Sequence, residues 1–106
     1  MVIGNLCAIN FGATMVYPSE SFDPKAALEA TTLYQGTTLY GVPTMFIAMI
    51  DEYNKNKDKY DISHLRTGFI SGSGVPETLV DKIRDDLKIP QMTHGYGQTE
   101  TSPVLT

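Results

Sequence analysis

Two short stretches of this sequence gather glycine, hydroxyl and charged residues at close spacing. They are Ser71-Gly72-Ser73-Gly74-Val75-Pro76 and His94-Gly95-Tyr96-Gly97-Gln98-Thr99-Glu100-Thr101. Glycines at Gly95 and Gly97 let a backbone approach a ligand without Cβ clashes. A helix beginning near Thr99 would present free N–H groups to an anion. Read one at a time, Glu100 is a surface carboxylate near a helix start, Tyr96 a core aromatic and Thr99 an N-cap. Gly72-Ser73-Gly74 has no lysine after it, so it is not a Walker-type phosphate loop. Ser73, Ser102 and Cys7 have no partnered base, which leaves a nucleophilic triad without support. His94 reads as a structural strand histidine and His64 as a surface one.

The elements that must hold these stretches are well punctuated. Ala13 to Tyr17, between Gly12 and Pro18, reads as a short buried strand. Asp23 is a good N-cap, Pro24 suits the first helical position and Gly36 supplies the stop. Phe22 and Ala27 are spaced for a hydrophobic staple, and the inner stripe of that helix reads as Ala27, Ala30 or Thr31, and Tyr34. Thr37 to Tyr40 is a second strand, rich in β-formers. Pro43 opens a second helix to about Tyr53, apolar nearly all round and expected to be largely buried. Asn54 to Asp61 reads as a solvated loop. Thr67 to Ser71 is a third strand, ending at Gly72-Ser73-Gly74. Pro76 starts a third helix with the stripe Leu79, Val80, Ile83 and Leu87. Gln91 to Gly95 is a fourth strand. Strands alternating with helices through short connections imply an α/β fold: a parallel-sheet βα segment of about four strands and three to four helices. Ligands of such sheets bind beyond the carboxyl ends of the strands, where Gly72 to Gly74 and Tyr96 to Glu100 converge if their strands are neighbours.

Composition sets outer limits. The 106 residues make one domain's worth of chain, with 42% hydrophobic and 19% charged residues, as in an ordinary globular segment. A net charge of −4 gives no basic face for nucleic acid. No apolar run approaches the roughly 20 residues of a transmembrane helix. The single cysteine, Cys7, excludes an internal disulfide and reads as a small core residue in the apolar run from Met1 to Ile9. That run suits the last turns of a buried helix.

The string from His94 to Thr101 resembles the Y-G-x-T-E motif of the adenylate-forming superfamily, which includes acyl-CoA synthetases, luciferases and peptide-synthetase adenylation domains. Ser71 to Pro76 is similar to the small-residue loop ahead of the adenine pocket in that superfamily. Leu39-Tyr40-Gly41-Val42-Pro43-Thr44-Met45-Phe46 resembles the strand-to-helix segment beside the acyl pocket of acyl-CoA synthetases. The texture is closest to medium-chain fatty-acid ligases. The resemblance implies a reaction in which a carboxylate attacks the α-phosphorus of ATP, followed by transfer of the acyl group to CoA. It implies Glu100 as a Mg²⁺ ligand, Thr99 as a donor to an α-phosphate oxygen and Tyr96 as a flat face for adenine. Gly72, Ser73 and Gly74, with Gly95, Gly97 and Gln98, would supply backbone and walls around the nucleotide.

The same resemblance predicts parts that lie outside this sequence. A Ser/Thr/Gly-rich phosphate loop with its lysine and a residue gating the acyl pocket belong upstream. A ribose-binding aspartate, a hinge and a small C-terminal domain with a catalytic lysine belong downstream. Residues 1–106 are therefore expected to be an internal fragment of the large N-terminal domain, inactive alone, whose partners are a carboxylic acid, ATP, CoA and the rest of its own chain. The expected compartment is the cytoplasm, or the mitochondrial matrix if the parent carries a transit peptide. Two rival readings are a non-catalytic nucleotide-binding module of flavodoxin-like architecture and a structural interaction domain. Within the superfamily, the rival is a peptide-synthetase adenylation domain.

Overall fold

A computed structural model describes residues 2–106. Its centre is a three-stranded, wholly parallel sheet in the order β1 (Thr38–Gly41), β2 (Thr67–Ile70), β3 (Gln91–His94). Thr38 pairs with Thr67 and Thr67 with Gln91, so the strands start level and end level, at Gly41, Ile70 and His94. Helix α3 (Pro43–Lys55) carries the chain from β1 to β2, and α4 (Glu77–Asp86) carries it from β2 to β3. Because each crossover moves one strand along in the same direction and crossovers are right-handed, both helices fall on one face of the sheet.

That face holds the core. Leu28, Phe46, Ile70, Ile83, Leu87 and Ile89 are fully buried in one cluster with Met49, Ile50 and Leu79. Leu79, Ile83 and Leu87 recur at helical spacing, as the sequence pattern predicts. Helix α3 buries Phe46, Met49 and Ile50 but leaves Ile47 48% exposed, so it is covered on one side rather than all round. The opposite face of the sheet carries a Thr38–Thr67 hydroxyl contact at 2.7 Å and the Tyr40 and Phe69 rings, 5.9 Å apart.

Helix α2 (Pro24–Leu33) packs against α3. The Asp23 carboxylate accepts the Lys25 N–H at 3.0 Å and Pro24 takes the first turn, as expected of a capped start. Its inward residues are Leu28 and Thr31, with Ala27 beside them; Tyr34 is 62% exposed. The helix is thus rotated away from the stripe that ended on Tyr34, because Leu28 offers more apolar area than Ala30. Phe22, expected to staple that start, is 41% exposed. In the solvated connection after α3, Tyr60 is an exception, buried at 6% exposure and donating to Glu52 Oε1 at 2.9 Å. Burial, and then the Glu52 carboxylate, push its phenol up to about 12.

The amino-terminal arm departs furthest from expectation. Val2–Leu6 and Cys7–Asn10 (α1) are helical, yet Leu6 is 50% and Ile9 61% exposed, and Cys7 is exposed too. No layer among the described residues covers this helix. Residues 13–17 form no strand, so the sheet has three strands rather than four. Ala13 to Tyr17 meets no sheet edge; Thr14 to Pro18 lie along a cleft beside Ala30 and Leu33 of α2. β-propensity without a ladder partner does not make a strand. Among the described residues, no helix is long and apolar enough to cross a membrane.

Candidate functional site at the carboxyl edge of the sheet

The loops that follow β2 and β3 leave the same edge of the sheet from adjacent strands. The first turns at Gly72, whose φ of +101° lies in the region L side chains avoid. A Cβ there would also sit 2.9 Å from Val42 Cγ1 at the end of β1. Ser73 and Gly74 are exposed, and nothing stands within 4 Å of a Cβ built at Gly74. Gly74 borders a groove between α3 and α4, walled by Pro43, Ile47, Pro76 and Leu79 with Lys82 at its side.

The second loop begins as a continuation of the ladder. The Gly95 N–H donates to the Ile70 carbonyl at 3.0 Å, and the Ser71 hydroxyl donates to the Gly95 carbonyl at 2.7 Å. Tyr96 then exchanges both backbone bonds with Thr106, at 2.6 and 3.2 Å, and also accepts the Leu105 N–H at 2.8 Å. Tyr96 is 65% exposed and packs into no core among the described residues. Gly95 and Gly97 are fixed by the chain's own packing. A Cβ at Gly95 would run into the end of the Phe69 ring, and one at Gly97 into the Pro103 carbonyl and Val104.

Thr99–Thr101 form a single 3₁₀ turn capped by Gln98, not by Thr99. Thr101 does the capping work that Thr99 was expected to do: its hydroxyl accepts the Gln98 N–H at 3.1 Å and donates to the Gln98 carbonyl at 2.7 Å. A turn of three residues lacks the aligned peptide dipoles that make a helix terminus attractive to an anion. Thr99 and Glu100 are exposed, and so is His94. No group of three His, Cys, Asp or Glu side chains among the described residues could hold a metal ion by itself. Gly72, Ser73, Gly74, Gly95, Tyr96, Gly97, Gln98, Thr99 and Glu100 therefore all lie on two neighbouring turns.

Sequence reasoning passed over Ser71 and Lys82. Ser71 closes a strand and opens the Ser71-to-Pro76 loop in the sequence, but the reach of its hydroxyl to the Gly95 carbonyl has no local signal there. Lys82 sits on the polar side of α4, and its place beside the groove depends on how α4 meets α3.

A family model described as AMP-binding enzyme matches residues 1–106. An acyl-CoA ligase, SID4 of Ajellomyces capsulatus, is 44% identical over 103 residues, which are 97% of this chain and 17% of that protein. The human mitochondrial medium-chain acyl-CoA ligase ACSF2 is 38% identical over 103 residues, again 97% of this chain and 16% of the relative. This chain thus spans about a sixth of the length of those relatives. Among solved structures, the luciferase-like enzyme of the nonluminescent mealworm Zophobas morio superposes with a TM-score of 0.74 at 22% identity, covering 88% of this chain and 21% of that one. The anthranilate CoA ligase AuaEII, in complex with anthranoyl-AMP, gives 0.74 at 20% identity over 87% of this chain and 17% of its own. At such low identity the likeness is one of fold, and it is the α/β fold expected from the alternation of strands and helices. The sequence relatives and a match running from the first residue to the last carry the assignment further: the chain belongs to the AMP-binding enzyme family.

Proposed function

We propose that this chain forms the adenine- and phosphate-facing edge of an ATP-dependent, AMP-forming acyl-CoA synthetase acting on a fatty or other carboxylic acid. The observation that carries the reading is the adjacency of the two turns, tied by the Ser71–Gly95 bond at 2.7 Å, which sets Gly72 to Gly74 beside Tyr96 to Glu100. In the first half-reaction a carboxylate oxygen bonds to the α-phosphorus of ATP and the bond to pyrophosphate breaks. In the second, the CoA sulfur bonds to the acyl carbon and AMP leaves.

The exposed ring of Tyr96 offers a face for the purine. The Thr99 hydroxyl donates to an α-phosphate oxygen, and Gly72, Ser73 and Gly74, with Gln98, line the nucleotide. Glu100 fits a Mg²⁺ ion by the chemistry of its donor: a single exposed carboxylate, leaving room for water and phosphate oxygens, is the protein contribution that ion takes. When bound, Mg²⁺ supplies neutralisation of charge on the departing pyrophosphate. The remaining groups, including those that complete charge stabilisation at the phosphates, belong to the rest of the protein. The compartment is the cytoplasm or, as the human relative's name says of that protein, the mitochondrion.

Substitution Glu100→Gln in the full-length protein is the test. Carboxylate-dependent pyrophosphate exchange should fall on the order of a hundredfold while the thermal transition stays put, as for loss of one charge-stabilising group. Full exchange activity in E100Q would remove Glu100 from the mechanism. The isolated 106-residue chain should show no exchange at all.

A further inference from the structure

The peptide joining Gly95 to Tyr96 is held at both ends. Its carbonyl, on the buried Gly95, accepts the Ser71 hydroxyl at 2.7 Å, and its N–H donates to the Thr106 carbonyl at 2.6 Å. The first of these bonds does what the sheet cannot. With Ile70 paired to His94 and the Gly95 N–H on the Ile70 carbonyl, the next rung of a parallel ladder would bring the Gly72 amide to the Gly95 carbonyl. Gly72, at a φ of +101°, instead turns the chain out of the sheet. Ser71 fills that place with its side chain while its own N–H donates to the Gly41 carbonyl of β1 at 3.3 Å. One residue thereby links all three strand ends.

We infer that Ser71 is a positioning residue for nucleotide binding, acting through the Gly95–Tyr96 peptide to aim the Tyr96 ring; this rests on the ligase reading above. The orientation of a peptide plane sets the direction in which the following Cα–Cβ bond points. Freed at its carbonyl, the Gly95–Tyr96 plane rotates about its remaining bond to Thr106, and the ring direction spreads. A ring that must be reordered by the purine binds it less tightly, while the groups acting at phosphorus are unchanged.

The test is Ser71→Ala in the full-length enzyme, read by steady-state pyrophosphate exchange. The KM for ATP should rise about fivefold to tenfold, the loss expected for one hydrogen bond to a buried carbonyl, with kcat and the KM for the acid within about twofold. Ser71→Thr keeps the hydroxyl and should restore the ATP KM. If S71A does not accumulate folded, Ser71→Cys, with its weak donor, should raise the ATP KM by a smaller factor. An active wild type whose ATP KM is unmoved in the alanine or cysteine variant overturns the inference alone. So does an increase that falls equally on acid and ATP, or one that threonine does not rescue. A full-length wild type without carboxylate-dependent exchange overturns the ligase reading and this inference with it.

Discussion

Beneath α3 and α4, Phe46, Ile70 and Ile83 are fully buried; at the carboxyl edge of the same sheet, Tyr96 is 65% exposed, with Thr99 and Glu100 exposed beside it. The covered layer is held by apolar area removed from water, about 25 cal/mol for each Å². The edge is held by a few directed bonds: Ser71 to Gly95, Tyr96 to Thr106 and Thr101 to Gln98. The contrast teaches that stability and chemistry occupy different parts of the segment. Exposed side chains on the turns, such as those of Thr99 and Glu100, can be exchanged for function without disturbing what keeps the sheet together.

Substitutions can break or sharpen that contrast. The largest effect belongs to the covered layer: Phe46→Ala should cost about 3–5 kcal/mol of stability by chemical denaturation of the full-length protein. A cost under about 1 kcal/mol would mean that α3 does not cover the sheet as described. Next comes the first turn, where the two glycines that flank Ser73, Gly72 and Gly74, should behave differently. Gly72→Ala places a side chain at φ +101° and against Val42, for about 1–3 kcal/mol.

A smaller effect is expected in base. The Tyr60 phenol titrates near 10.0 when unfolded and about 12 when folded, so its neutral form is favoured by folding. That contribution is intact below pH 10.0 and is lost as pH rises toward 12, since the unfolded chain gives up its proton first. Tyr60→Phe should flatten the alkaline slope of denaturation midpoints over that window; an unchanged slope would show that other groups set it. Smallest of all, Gly74→Ala meets nothing within 4 Å and should stay within about 0.5 kcal/mol of wild type.

Local punctuation made much of the frame readable from sequence. Asp23-Pro24 and Pro43 open helices where they should, and the three glycine-terminated β-rich runs are the three strands, each within a residue of its expected bounds. What was not readable depends on partners. Ala13 to Tyr17 has the composition of a strand and, among the described residues, no neighbour to pair with. Cys7 and Ile9 have the composition of a core and, among the described residues, no layer over them. Tyr34 lost the inner face of α2 to Leu28 because the rotation of a helix is settled by what it packs against. At the edge, the convergence of the two turns followed from strand order. The choice of Gln98 as the cap, and the reach of Ser71 to a carbonyl 24 residues away, are three-dimensional facts.

Level strand ends have a further consequence. With Gly41, Ile70 and His94 finishing side by side, the loops beyond them can lengthen, shorten or change residues without breaking a rung of the ladder or opening the packed layer. Such an arrangement gives evolution a bench on which the tools can be swapped while the legs stay put. Divergence among descendants of one ancestor should therefore collect at this rim outside the two turns assigned to the nucleotide, and the strands and the inward sides of α3 and α4 should drift little.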